Sequence, residues 1–132
     1  MIKIQSVFLF HDYYLIHLGA DINLPDNYGR TPLHVASAVD YPEMVEFLIE
    51  MGANINALTK TENQTPLHYA AQNDATLSLK VLLNLNANID AFDYKERTPL
   101  QVKLFLLFNL LNCKMSDKYF AFISGFIITY EC

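Results

Sequence analysis

The stretch Thr31-Pro32-Leu33-His34 decides the fold, because it returns along the chain at a nearly constant spacing. It recurs as Thr65–His68 after 34 residues and as Thr98–Gln101 after a further 33, with glutamine replacing histidine in the last copy. A threonine before a proline is typical of a helix start, since the hydroxyl caps free backbone amides and proline suits the first helical position. The sequence therefore predicts three helices that begin at a common period.

A second word keeps the same period and predicts where helices end. Gly19–Asn23 reads Gly-Ala-Asp-Ile-Asn, and it recurs as Gly52–Asn56 and as Asn86–Asp90. Glycine ends a helix by adopting the left-handed conformation, and asparagine, which opens the third copy, is the next most tolerant residue there. Two different words that share one period indicate an internal structural repeat.

Two helical stretches lie between the words. The first is short and has small side chains, as in Val35–Ala38, and the second is amphipathic, as in Glu43–Met51. The apolar residues of the second stretch recur at helical spacing, and its three glutamates fall on the exposed face. Leu79–Leu85 repeats the apolar pattern in the next copy. The repeating unit is therefore a turn followed by two helices.

These features resemble the ankyrin-repeat family, whose unit of about 33 residues carries the Thr-Pro-Leu-His word. The resemblance covers about residues 8–101 and implies an all-α ankyrin-repeat solenoid, with helix pairs joined by short hairpin loops. It divides the chain into a partial repeat at 1–19, whole repeats at 20–52 and 53–86, and a repeat begun at 87–101.

Several positions depart from the family pattern. The family usually has glycine where this chain has Asp40 and Asp74, at the turn between the two helices. Gly29 occupies the hairpin glycine position, but its equivalents are Asn63 and Glu96. Glutamate in a left-handed conformation costs about 1 kcal/mol more than glycine.

The pattern is lost after Gln101, and residues 102–132 form an apolar tail without a repeat word. The family would continue with small residues, whereas this chain has Lys103 and Leu104 at those places. Two interpretations remain open. The tail is either an irregular C-terminal cap over the last repeat, or a gene-model artefact in which an intron has been read as coding sequence. Sequencing the messenger RNA across codons 95–110 distinguishes them.

Composition and charge exclude several classes of function. Nine basic and fourteen acidic residues give a net charge of −5 and a pI of about 5.2, which argues against a nucleic-acid surface or a polybasic membrane anchor. The longest nearly uncharged run, Tyr119–Tyr130, is too short to cross a bilayer as a helix. Only two cysteines occur, which favours a reducing compartment and a cytoplasmic location, with the nucleus as an alternative.

No catalytic or metal-binding pattern is present in the sequence. The resemblance implies that His34 and His68 each tie their own helix start to a neighbouring loop through hydrogen bonds, rather than bind a metal. Cys113 has a lysine beside it but no histidine after it, so it is not predicted to be a nucleophile. We therefore expect no enzymatic activity, no cofactor, no metal and no small-molecule substrate.

The remaining prediction is a protein-interaction scaffold or adaptor that presents a concave ankyrin-repeat surface to another protein. One rival interpretation is a fragment of the cytosolic repeat region of a larger membrane channel or signalling enzyme. Another is docking of the apolar tail on a membrane or on a second copy. By the resemblance, the partner-binding candidates lie at the hairpin tips and on the first helices: Asp26, Asn27, Tyr28, Arg30, Lys60, Glu62, Gln64, Gln72, Asn73, Asp93, Tyr94, Lys95 and Arg97.

Overall fold

The computed structural model describes residues 19–110, with side chains as far as Leu104, and all regular secondary structure in this range is helical. Within these residues, five helices follow one another: α1 Pro32–Ala38, α2 Pro42–Glu50, α3 Pro66–Gln72, α4 Thr76–Asn84 and α5 Pro99–Leu110. Helices α1, α3 and α5 pack side by side as an inner layer, and α2 and α4 pack as an outer layer. This is the predicted helix-pair solenoid.

The inner helices begin where the Thr-Pro word predicts. Thr31 and Thr65 have extended backbones, with φ of −83° and −86°, and proline follows at the first helical position. The ring Nδ1 of His34 accepts a hydrogen bond from the Thr31 amide at 3.1 Å, and His68 does the same for Thr65 at 3.2 Å. Each histidine thus satisfies a backbone donor that a helix start would otherwise leave free.

The ends of the helices use left-handed residues, as predicted from the second word. Gly52 has a φ of +98°, and Asn86, which replaces glycine in the third copy, has a φ of +62°. Asp40 and Asp74 adopt φ values of +56° and +58° at the turns between inner and outer helices. Aspartate and asparagine are the non-glycine residues that tolerate this region best, because their short polar side chains bond locally.

The core lies between the two helical layers. It is formed by leucines from both layers, by Met44 and Val45 of α2, and by alanines that let the inner helices approach one another. The residues at its centre are almost fully buried: Leu33, Val45, Leu48, Leu67, Ala70 and Leu82. The glutamates of α2 are exposed, as the amphipathic pattern predicts.

Polar links join each repeat to the next. Asn23 Oδ1 accepts a hydrogen bond from the Asn54 amide at 2.8 Å, and Asn56 Oδ1 accepts one from the Asn88 amide at 2.9 Å. At the other end of the units, Asp40 Oδ1 accepts from the Ser78 amide in the first turn of α4 at 2.8 Å. Its counterpart Asp74 forms an ion pair with Lys103 of α5. These links fix the spacing between neighbouring repeats.

Helix α5 continues beyond the last family-like residue. It runs to Leu110, so the first residues of the predicted tail are helical and continuous with the fourth repeat word. The placing of a domain boundary at residue 101 stays a prediction, and residues 111–132 lie outside the described part of the chain. Between residues 19 and 110, no helix has both the length and the apolar character that crossing a membrane requires.

Candidate protein-binding surface

The first hairpin loop, residues 26–30, is held by a carboxylate clamp. Asp26 Oδ1 accepts hydrogen bonds from the amides of Tyr28 and Arg30, both at 2.9 Å. Asp26 Oδ2 accepts from the Arg30 guanidinium at 2.7 Å. Hydrogen bonding from Arg30 lowers the pKa of Asp26, so the carboxylate stays charged across the physiological range. The clamp gives this loop a defined conformation before any partner arrives.

The third hairpin loop, residues 93–97, repeats the same clamp in a buried setting. Asp93 Oδ1 accepts from the amides of Lys95 and Arg97 at 2.9 Å, and Oδ2 accepts from the Arg97 guanidinium at 2.7 Å. Burial raises the pKa of Asp93, but the hydrogen bonds from Arg97 and Lys95 outweigh it and leave the pKa lowered. Because the Asp93 side chain is fully buried in this pair, it is a structural residue of the loop.

The second hairpin loop, residues 59–64, is built differently. Thr59 takes the place of the aspartate and Gln64 that of the arginine, and the loop holds one extra residue. Thr59 Oγ1 accepts a hydrogen bond from the Gln64 amide at 3.1 Å. The threonine hydroxyl thus replaces the hydrogen bond that Asp26 accepts from the Arg30 amide in the first loop. The Gln64 side chain points inward and its Nε2 donates to Gln72 Oε1 at 3.4 Å. This contact joins the hairpin to inner helix α3.

The hairpin loops pack directly on one another. The Tyr94 amide donates to the Glu62 carbonyl at 2.9 Å, which joins the third loop to the second. At Gly29 the loops approach so closely that a Cβ atom would lie 2.4 Å from the backbone nitrogen of Lys60. Gly29 also has a φ of +78°, so both the contact and the conformation require glycine. The tips therefore form one rigid row.

Two tyrosines project from this row, each beside a cation. Tyr28 is 63% exposed and Tyr94 is 52% exposed. The Arg30 guanidinium carbon lies 5.1 Å from the Tyr28 ring centre, and Lys95 Nζ lies 5.2 Å from that of Tyr94. A cation over a tyrosine ring holds the ring in a preferred position by electrostatic attraction. Both rings thus present apolar area to solvent with restricted freedom.

The candidate surface continues from the hairpin tips onto the inner helices. Tyr69 of α3 is half-buried, and its ring meets that of His34 edge-on at 5.2 Å. Burial is the main cause that raises the pKa of Tyr69, while the charge of Arg30 lowers it and that of Glu62 raises it. Tyr69 is therefore within electrostatic reach of two hairpin loops. The sequence interpretation missed this residue, although a tyrosine directly after the Thr-Pro-Leu-His word was a visible signal.

His34 and His68 join the inner helices to the loops of the following repeat. Since Nδ1 of each ring accepts from a threonine amide, Nε2 carries the proton and donates to a carbonyl: His34 to Gln64 and His68 to Arg97, both at 2.9 Å. Burial lowers the pKa of both histidines, so they are neutral at pH 7. This is the role that the family resemblance implied for them.

The thirteen predicted contact residues fall into two groups. Gln64 and Asp93 are buried, being 2% and 4% exposed, and their side chains make contacts that hold their own loops. The other eleven lie at or near the surface, and a role in partner binding remains a prediction for all thirteen. The exposed or partly exposed ones are Asp26, Asn27, Tyr28, Arg30, Lys60, Glu62, Gln72, Asn73, Tyr94, Lys95 and Arg97, of which the Arg97 side chain is only 13% exposed. We call these eleven, together with Tyr69, the hairpin surface.

The hairpin surface offers contact area rather than reactive groups. In the portion of the chain that the structure covers, no group of three or more histidine, cysteine, aspartate or glutamate side chains is arranged to hold a metal ion. His34 and His68 are committed to helix starts and loop carbonyls, and the carboxylates of Asp26 and Asp93 are committed to arginines. The arrangement suits recognition of another surface.

Comparison with known proteins agrees with this architecture. Residues 28–60 and 62–94 each match the ankyrin repeat, and together they make up half of the chain. The chain therefore belongs to the ankyrin-repeat family. Ankyrin repeats bind other proteins, and proteins of this family are typically not enzymes.

Similarity to individual proteins is confined to short segments. An ankyrin repeat protein of fowlpox virus (strain NVSL) is 46% identical over 44 residues, which are 33% of this chain and 23% of the relative. Human protein phosphatase 1 regulatory subunit 27 is 44% identical over 43 residues, 33% of this chain and 28% of the relative. Human fem-1 homolog C is 40% identical over 43 residues, 33% of this chain and 7% of the relative. The chain thus spans less than a third of these relatives.

Proposed function

We propose that this protein is a protein-interaction adaptor whose partner binds the hairpin surface. The observation that carries the proposal is the pair of exposed tyrosines, Tyr28 and Tyr94, each held beside a cation on a row of rigid loops. Tyrosine and arginine supply a disproportionate share of binding energy at interfaces. Loops that are already ordered also lose little conformational freedom when a partner binds.

The chemistry of this surface favours a folded protein or peptide as the partner. Its charges are mixed in sign, with Lys60 and Glu62 in the second loop and Lys95 in the third, and Arg30 is neutralised by Asp26. Such a surface lacks the positive field that nucleic acid requires. Aromatic rings flanked by both signs of charge instead match the usual composition of protein interfaces. With only two cysteines in the chain, we place this interaction in the cytoplasm.

The test uses two matched double variants of the full chain. The first, Tyr28→Ser with Tyr94→Ser, removes the projecting rings and leaves both carboxylate clamps intact. The control, Glu46→Ser with Leu77→Ser, changes exposed residues of the outer helices. Proteins retained by each immobilised variant are compared by quantitative mass spectrometry, and the dissociation constant is then measured with the purified partner.

We expect the tyrosine variant to bind its partner about 30-fold more weakly, which corresponds to about 2 kcal/mol for loss of interface anchors. The control variant should bind as the wild type does. Because one relative is named a regulatory subunit of protein phosphatase 1, that phosphatase is the first purified candidate. A partner whose affinity the two variants reduce equally would show that the hairpin surface is not the binding site.

A further inference from the structure

The three repeats differ at the position that follows the proline of the Thr-Pro word. Leu33 and Leu67 occupy this position in the first two words, and they are 0% and 3% exposed. Leu100 occupies it in the third word and is 63% exposed. The same residue type, at the same place in an inner helix, is thus buried twice and exposed once. The difference lies in what covers it.

Two further positions are partly buried in one repeat and exposed at the equivalent place in the next. Ile55 is partly buried against the core, whereas its equivalent Ile89 in the next repeat is 57% exposed. Ile49 of α2 also packs against the core, whereas its equivalent Leu83 of α4 is 42% exposed. We call Leu83, Ile89 and Leu100 the end face. Its members come from an outer helix, a loop and an inner helix, so an entire packing surface is uncovered.

The cause is the different course of the last helix. In the first two repeats the inner helix has 7 residues, and an outer helix of 9 residues then packs back on it. Helix α5 instead has 12 residues and passes the point at which the turn would occur. Among residues 19–110, therefore, no outer helix covers the end face. Large apolar side chains in such a position mark a surface that another segment or molecule covers.

We propose that the apolar segment Tyr119–Tyr130 of the same chain covers the end face. This segment has no charged residue, and half of its twelve residues are phenylalanine or isoleucine. The end face is equally apolar, and it continues the interface by which the inner and outer helices pack in the earlier repeats. The segment therefore provides the kind of side chain that this position requires.

The connection to α5 permits this contact. In the sequence, eight residues, 111–118, lie between the last described residue of α5 and this segment, and five of them are polar: Asn112, Lys114, Ser116, Asp117 and Lys118. Eight residues reach about 25 Å when extended, and a helix of 12 residues is about 18 Å long. The segment can therefore return along the whole of α5. Its tether gives it a local concentration on the order of millimolar, which a second copy of the chain lacks at micromolar concentration.

The test places a photo-activated cross-linking amino acid, p-benzoylphenylalanine, at position 100 of the full chain. The matched control places it at Val39, which is 66% exposed on the inner layer but is not part of the end face. After illumination of dilute protein, the cross-linked peptides are identified by mass spectrometry, and the mass of each product distinguishes links within one chain from links between chains. We expect position 100 to link to residues 119–130 of its own chain, and position 39 not to do so.

Further substitutions test whether the cross-link depends on apolar packing of the segment or arises from a chance encounter. In the chain that carries the cross-linker at position 100, Phe126→Ser with Ile127→Ser should reduce the cross-link at least about 5-fold and lower Tm by about 5 °C, because it removes apolar contacts. Leu24→Ser, at an exposed residue away from the end face, should change neither. Links between chains would assign the end face to a dimer. Links to no part of residues 119–130, or links that the double substitution leaves unchanged, would overturn the proposal.

Discussion

At the scale of single residues, the left-handed positions show how sequence and backbone are matched. Asp40, Asn63, Asp74 and Asn86 are of the two residue types that tolerate positive φ, whereas Glu96, with a φ of +57°, is not. The hairpin of Glu96 is the last one described, so its Cβ does not have to pass a following loop as a Cβ at Gly29 would. A residue type that is unfavourable at positive φ is therefore tolerated at position 96, whereas position 29 requires glycine.

We expect opposite effects from exchanging these residue types. Gly29→Ala should lower the free energy of unfolding by at least about 2 kcal/mol, because it combines an unfavourable φ with a Cβ placed against the Lys60 backbone. Glu96→Gly should raise it by about 0.5–1 kcal/mol, since relief of the strained φ exceeds the greater entropy of glycine in the unfolded chain. Urea denaturation measures both. A stabilising Gly29→Ala would contradict the close approach of the loops.

The buried histidines predict a pH dependence of stability. Burial lowers their folded-state pKa below the ordinary value of 6.5, so the unfolded chain binds more protons than the folded chain in this range. The contribution of the two neutral histidines to the free energy of unfolding is therefore fully present above about pH 6.5. It is lost as the pH is lowered, by up to about 1.4 kcal/mol per pH unit for each histidine. The change is measured as the midpoint of urea denaturation at a series of pH values.

The chain itself supplies the control for this prediction. In the third word Gln101 replaces the histidine, and its Oε1 accepts from the Thr98 amide at 2.7 Å, so glutamine keeps the helix start without titrating. The double variant His34→Gln with His68→Gln should therefore show a much shallower fall in stability between pH 6.5 and pH 5. An unchanged slope would assign the acid sensitivity to other groups.

At the scale of helices, Asp40 acts across repeats. The residue before α4 is Ala75, which has no capping side chain, and the Ser78 amide in the first turn is instead satisfied by Asp40 from the preceding repeat. The aspartate that replaces the usual glycine of the family thus caps a helix 38 residues further along the chain. This departure from the family pattern therefore stabilises the start of α4.

Substitution at Asp40 separates capping from backbone conformation. Asp40→Gly keeps the left-handed turn but removes the acceptor, and it should cost about 1 kcal/mol of unfolding free energy. Asp40→Asn retains both an acceptor and tolerance of positive φ, so it should cost less than half as much. Hydrogen exchange at the Ser78 amide provides a local measurement. Equal protection of that amide in both variants would show that Asp40 is not its cap.

At the scale of the whole molecule, the repeat words predicted the order and start of the inner helices because capping and left-handed turns are local effects. The exposure of Gln64 and Asp93 could not be read from their loop positions alone, since it depends on contacts with α3 and with Arg97. The spacing of four residues in Asp26–Arg30 and Asp93–Arg97 was nevertheless a signal for the clamps. The reach of Asp40 to Ser78 and the continuation of α5 had no local signal.

The polar links between repeats have a consequence for how such a gene can change. Each connects a residue with one in the next unit only: Asn23 with Asn54, His34 with Gln64, Asp40 with Ser78, and Asp74 with Lys103. The links Asn23–Asn54 and His34–Gln64 recur one unit later as Asn56–Asn88 and His68–Arg97, so duplicating the codons of one unit gives an inserted copy the partners that these links need. Each added block also contributes one more hairpin loop whose sequence is free to diverge.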